Sequence, residues 1–251
     1  MLGMGAAWTL FPAQASLVGV FLASLLCLDG TERILENRSC SLQQDPSQLR
    51  SSNRTAVWQT TALFAGAIAG FSVLGLKLTL PTAHAMFGAQ LVDYGPLLFP
   101  ELHFGDLQGL IRNNVYVLVF FLVLGVPFRV GGLLFAILWN ASVWGASFAV
   151  VARRWAGATD GLDTLEAWLR VSAACTPHMA IEALGYAAGG LAGVLIGRAL
   201  LWGRSTQDPL PREVFSGLAL AATGMALVLS GAAFEAHVTG RLVAWFSAGV
   251  G

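Results

Sequence analysis

Apolar residues in this chain come in runs of about twenty, broken by short polar segments, and those runs set the first expectation about the fold. Six of them, at approximately 9–28, 57–80, 109–126, 131–151, 173–202 and 215–238, approach or exceed what a membrane crossing needs. The hydrocarbon core of a bilayer is about 30 Å thick and each helical residue rises about 1.5 Å, so roughly 20 apolar residues suffice. The pattern predicts an all-α, polytopic membrane helical bundle of about six transmembrane helices plus interfacial helices. The third and fourth runs are separated only by VPFRVGG at 126–132, where a proline and two glycines suit a tight reversal.

The polar breaks differ in kind. DGTERILENRSCSLQQDPSQLRSSNR, at 29–54, reads as a solvated loop with room for one short helix, and it divides the chain into an additional N-terminal helix and loop, 1–56, and a main membrane domain, 57–251. PTAHAMFGAQLVDYGPLLFPELHFGDLQ, at 81–108, mixes aromatics, prolines and isolated acids, as a segment lying along the membrane interface would. RRWAGATDGLDTLEAWLR, at 153–170, carries Leu162, Leu165, Trp168 and Leu169 at helical spacing and predicts a second interfacial helix.

Composition supports the membrane reading: 56% of the 251 residues are hydrophobic and 11% charged, against about 25% charged in soluble domains. Lys plus Arg equals Asp plus Glu, so no basic surface argues for nucleic acid as a partner. Cys27, Cys40 and Cys175 lie far apart, without CxxC or Cys/His spacing, and read as ordinary thiols. The first residues lack the positive n-region of a secretory signal, so the first run reads as a retained span. Arg33, Arg38, Arg50, Arg54, Arg129, Arg198, Arg204 and Arg212 fall on one side of the membrane. Lys77, Arg112, Arg153, Arg154, Arg170 and Arg241 fall on the other, a difference that slightly favours the 29–56 loop inside.

Alternation of helix direction places several polar side chains in one leaflet. His178 and Glu182 stand near the start of the fifth span, Glu235 and His237 at the end of the sixth, and Asn113 and Asn114 at the start of the third, with Asn140 nearer the middle of the fourth. A charged residue at the bilayer centre costs about 2.5–3.5 kcal/mol on insertion scales, so such groups face the bundle or a wet cavity. His178 and Glu182, at i and i+4, share a helix face, and Pro177 before them suits a first turn. Two nearby carboxylates, Glu182 and Glu235, would share a proton or bind a cation. His178, Glu182 and Glu235 are the candidates for a metal, but no HExxH pair or dense ligand cluster accompanies them.

Small residues explain how the helices approach. Gly185, Gly189, Gly193 and Gly197 repeat every four residues, and Gly217, Gly224 and Gly231 every seven, so the two stripes are expected to pack together.

Four segments carry a resemblance to the stage II sporulation protein M family of integral membrane proteins: IRNNVYVLVFFLVLG at 111–125, LLFAILWNASVWGASF at 133–148, TPHMAIEALGYAAGGLAG at 176–193 and AAFEAH at 232–237. They are similar to the family's paired asparagines, its asparagine and glycine helix, its Pro-His and Glu motif and its late glutamate. The resemblance implies a multi-span helical protein without an established catalytic activity, whose namesake acts with peptidoglycan-degrading enzymes. The sequence contains no G-x-S-x-G elbow, and the glycine-rich fifth span is too apolar for a phosphate cradle. The expected function is therefore a non-enzymatic scaffold or docking subunit of an envelope complex in the bacterial inner (cytoplasmic) membrane. The alternative is a transport component for a proton, ion or small solute, such as the permease subunit of an ABC-type system. No cofactor is implied; the partners expected are the lipid bilayer, other membrane-complex proteins and a second copy of the chain through its small-residue stripes.

Overall fold

The computed structural model describes residues 7, 9–10, 14–39, 46–91, 107–202 and 210–248, and it is helical throughout, with no strand among the described residues. The long elements are α1 (Ala15–Ser39), α2 (Pro46–Lys77), α3 (Leu80–Leu91), α4 (Leu107–Ala158), α5 (Thr164–Gly197), α6 (Leu210–Phe234) and α7 (Gly240–Ala248). Five helical stretches among the described residues are long and apolar enough to cross a membrane. This is a multi-pass, all-α membrane protein.

The third of those stretches supplies two crossings. A straight helix of 52 residues would span roughly 78 Å, more than twice the hydrocarbon thickness. At Arg129 the backbone takes φ 53 and ψ −133, just after Pro127, and the chain doubles back. Gly132 then lies against the Leu124 carbonyl, and Phe121 and Leu133, one from each limb, both meet Gly190 of α5. The bundle therefore contains the six expected passes. The turn falls on Arg129, a residue that pays for positive φ where glycine would not, while Gly132 serves the close approach of the limbs and Gly131 meets Leu28 of α1.

Three local expectations change. Helix α1 runs to Ser39 and α2 begins at Pro46, so all the described residues of the loop read at 29–56 are helical; proline fits a first helical position because its missing donor would have no partner there. The segment at 153–170 holds no separate interfacial helix. Helix α4 runs to Ala158, the chain turns through Gly161 at φ 77, and the Asp163 carboxylate caps α5 by accepting from the Leu165 amide at 3.1 Å. Leu162 and Trp168 of the predicted pattern pack over this turn with Ala152, Trp155 and Ala167. Consequently Pro177 sits in the interior of α5 and not in its first turn.

Helix α3 differs most from expectation. It starts where α2 ends and runs back beside the second limb of α4 and α1, with Phe71 and Leu74 of α2 reaching it by their side chains. At its outer end His84 meets Arg154; at its inner end the Gln90 amide donates to the Ser142 hydroxyl at 3.1 Å. Ala83, Met86, Phe87 and Leu91 bury one face against Phe71, Leu74, Ala146 and Val150. A 12-residue helix reaches about 18 Å, so α3 penetrates to near mid-membrane. Residues 92–106, the rest of the segment expected at the interface and including His103, lie outside the described residues.

The core binds α4 to α2, α5 and α6. Phe121 stacks on Tyr186 with centroids 5.4 Å apart, and Phe64 tilts over Trp144 at 5.2 Å. The glycine stripe of α5 splits between two neighbours. Gly185 faces Val228 and the Gly224 carbonyl of α6, as expected, but Gly189, Gly193 and Gly197 face Leu118, Leu122 and Val126 of the first limb of α4. Gly217, Gly224 and Gly231 all face α5.

A methyl group at Gly193 would collide with the Leu122 carbonyl, a backbone atom that cannot turn aside. Gly193→Ala should lower the equilibrium unfolding free energy in detergent by about 2 kcal/mol. Gly66→Ala, at a lipid-facing position with nothing within 4 Å, should be neutral or stabilising by up to ~1 kcal/mol. Equal effects at the two positions would refute the packing described.

Candidate functional site

The polar residues of the expected leaflet meet where the first limb of α4, α5 and the end of α6 converge. The Asn114 amide donates to Glu182 Oε1 at 2.6 Å, and the Asn113 amide donates to Asn114 Oδ1 at 3.2 Å. Asn114 and Glu182 are buried, at 4% and 3% exposure, which leaves water little access to either. The bond has a defined direction: a carboxylate oxygen can accept only, so the asparagine presents its amide nitrogen and frees its own oxygen for Asn113. An amide suits this position because it donates to the carboxyl group whether or not that group is charged.

His178 faces elsewhere. Its Nδ1 shares a hydrogen bond of 2.9 Å with the Thr239 hydroxyl, and Thr239 is wholly buried. Although His178 and Glu182 occupy one helical face, they fasten different neighbours, α6 and α4. Thr239 ends a five-residue π-helical turn, Glu235–Thr239, that joins α6 to α7. Such a turn offsets the side chains beyond it relative to the α-helical register.

Glu235, half-buried at the start of that turn, is an electrostatic neighbour of both Glu182 and Cys175. Gly231, one turn earlier, lets α6 lie against the Glu182 side chain; a methyl there would stand 2.5 Å from Glu182 Cγ. The glycine expected only as packing surface therefore makes room for the acid.

Two expected members are absent from the cluster. His237 is exposed on the π turn, because a step of two residues from Glu235 carries it to the other side of the helix. Asn140 is buried in the second limb of α4, and among the described residues no hydrogen bond joins it to Glu182 or His178. Nor do the metal candidates His178, Glu182 and Glu235 converge: among the described residues no group of three or more His, Cys, Asp or Glu could hold a metal ion. Cys27 and Cys175 are free thiols, and Cys40 lies outside the described residues.

The chemistry available is that of an interhelical clamp: one carboxyl group, four donors or donor–acceptors and a second acid nearby. Sequence reasoning missed Thr239, whose hydroxyl is commonplace in a membrane helix and gains meaning only opposite His178. No family model, curated protein or solved structure matches the chain.

Removing the Asn114 amide leaves a buried carboxyl group without its donor, at a cost of about 1–3 kcal/mol. Asn114→Leu should therefore destabilise more than Glu182→Gln, which keeps an acceptor at the same place. The double variant should show a coupling of roughly 0.5–2 kcal/mol by unfolding in detergent. Additive losses would mean that the two side chains do not act on each other.

Proposed function

We propose that this protein is a non-catalytic scaffold of the bacterial inner (cytoplasmic) membrane, docking partner proteins of an envelope complex. The observation that carries the reading is the direction of the buried polar bonds. Asn114, Glu182, His178 and Thr239 are each bonded to another helix of the same chain. Polar groups used in this way hold helices in register and present a fixed outer surface. That surface includes a row on the first limb of α4, Tyr116, Val119, Phe120 and Val123, whose large side chains point away from the bundle. The resemblance to the stage II sporulation protein M family supports an envelope role on the four segments that carry it.

A second reading, a transport component, is favoured by α3. Its buried Gln90, bonded to Ser142, is a polar side chain inside the membrane region, of the kind that often marks an ion or solute path.

Reconstituted vesicles and living cells separate the two. A photo-crosslinking residue at Tyr116 should yield a discrete protein adduct in cells, and the same adduct should persist in a folded Glu182→Gln variant. Vesicles holding the wild-type protein should pass protons and sodium no faster than empty ones. Flux that disappears in Glu182→Gln or Glu235→Gln while thermal stability is unchanged would replace the scaffold with the transport reading.

A further inference from the structure

The turn between α2 and α3 gathers basic side chains that the clamp does not use. Helix α2 ends at Lys77, α3 begins at Leu80, and the second limb of α4 reaches the same level at Arg153 and Arg154. The Arg153 guanidinium donates to the Leu76 carbonyl, one of the last of α2, where a cation meets the negative end of the helix. Arg154 lies 3.3 Å from His84 Nε2 on α3, and His84 Nδ1 lies 2.9 Å from the Leu80 carbonyl. An arginine N–H can only donate and a carbonyl can only accept, so Nε2 accepts from Arg154 and Nδ1 donates to Leu80. Both guanidinium groups are thereby held at the turn.

This level is the edge of the membrane. The second limb of α4 starts at the Arg129 turn, and the run from 129 to 153 covers roughly 36 Å, more than a hydrocarbon core about 30 Å thick. The apolar stretch of α2 likewise closes at Lys77.

The charges gathered here are not matched by acids. Lys77 is exposed and makes no described hydrogen bond or ion pair, and the ion pairs among the described residues, Arg170 with Glu166 and Arg198 with Glu213, use other cations. Beyond the end of α4, Asp163 caps α5 and Glu166 holds Arg170, which leaves the exposed Asp160 against Lys77, Arg153 and Arg154. Donors are also to spare. Arg154 uses one of its five N–H groups on His84. The Thr79 and Thr82 hydroxyls, 2.8 Å apart, share one proton between them and keep the other.

Fixed N–H and O–H donors with excess positive charge, at headgroup depth, complement a phosphodiester that carries a net negative charge. A choline headgroup brings its own cation, which the same patch repels. We propose that Lys77, Arg153 and Arg154, with the Thr79–Thr82 pair, bind the headgroup of an anionic phospholipid at the α2–α3 turn. The site is separate from the Asn114–Glu182 clamp and depends on neither functional reading.

The test is native mass spectrometry of the full chain in detergent, titrated with dioleoyl phosphatidylglycerol or dioleoyl phosphatidylcholine. Wild-type protein should retain phosphatidylglycerol saturably and phosphatidylcholine no better than background. Lys77→Gln, which removes a charge without removing any described hydrogen bond, should weaken that binding about fivefold, and Arg154→Gln by at least as much. Arg170→Gln, the same change of charge at a paired arginine on the same side of the membrane, should leave it unchanged. Thermal unfolding checks that each variant is folded. Equal retention of the two lipids, or equal losses in Arg170→Gln and Lys77→Gln, would overturn the proposal by reducing the patch to general surface charge. Inorganic phosphate that binds where phosphatidylglycerol does not would overturn it too, by making the ligand a free anion.

Discussion

Direct backbone contact between the first limb of α4 and α5 sets the geometry of the whole bundle. Leu118 meets Gly189, Leu122 meets Gly193 and Val126 meets Gly197, each pair separated by the same 71 positions. Two helices in parallel register along such a seam have no freedom to slide, since a shift of one residue would drive side chains into carbonyl oxygens. Extending the register backward puts Asn114 opposite Gly185, one turn from Glu182. The hydrogen bond between Asn114 and Glu182 is thus a consequence of glycines two to four turns away. In lipid, where apolar association gives little drive, close packing of small residues is what remains to choose the register.

Much of this was legible in the sequence. Run lengths disclosed the spans, and alternation of direction placed Asn114, Glu182, His178 and Glu235 at one depth. Periodicity reveals which face of a helix is small or polar, but it does not say which neighbour lies opposite. The α5 stripe was therefore matched to the other obvious stripe, on α6, while most of it packs on α4, whose contributing residues are the large Leu118, Leu122 and Val126 with only Gly125 among them. His178 and Glu182 illustrate the same limit: one face, two partners.

Helix α3 was hidden for a different reason. Prolines, isolated acids and aromatics across 81–108 give the averages of an interfacial segment. The signal of burial was narrower than that window. Ala83, Met86, Phe87 and Leu91 recur at intervals of three, one and four, a single apolar stripe within 12 residues. Averaging over the polar remainder concealed it, and no local pattern reports that a short helix turns inward from the end of its predecessor.

Backbone irregularity and polar side chains coincide in this bundle. Pro177 cannot donate to the Ala173 carbonyl, and beside it the Thr176 hydroxyl bonds back to Ser172 at 2.6 Å. His178 follows, and its partner Thr239 ends the π turn of the facing helix. Two regular helices would keep those side chains on their own α-helical registers; the altered turn is what carries Thr239 into reach. The weakened helical bonds on both sides are offset by a bond between them, so the two irregularities stabilise each other. Loss of either partner would leave the other helix with a distortion and no compensating contact. The His178–Thr239 bond therefore joins the interior of α5, at the point where Pro177 interrupts its helical bonds, to the π turn that follows α6.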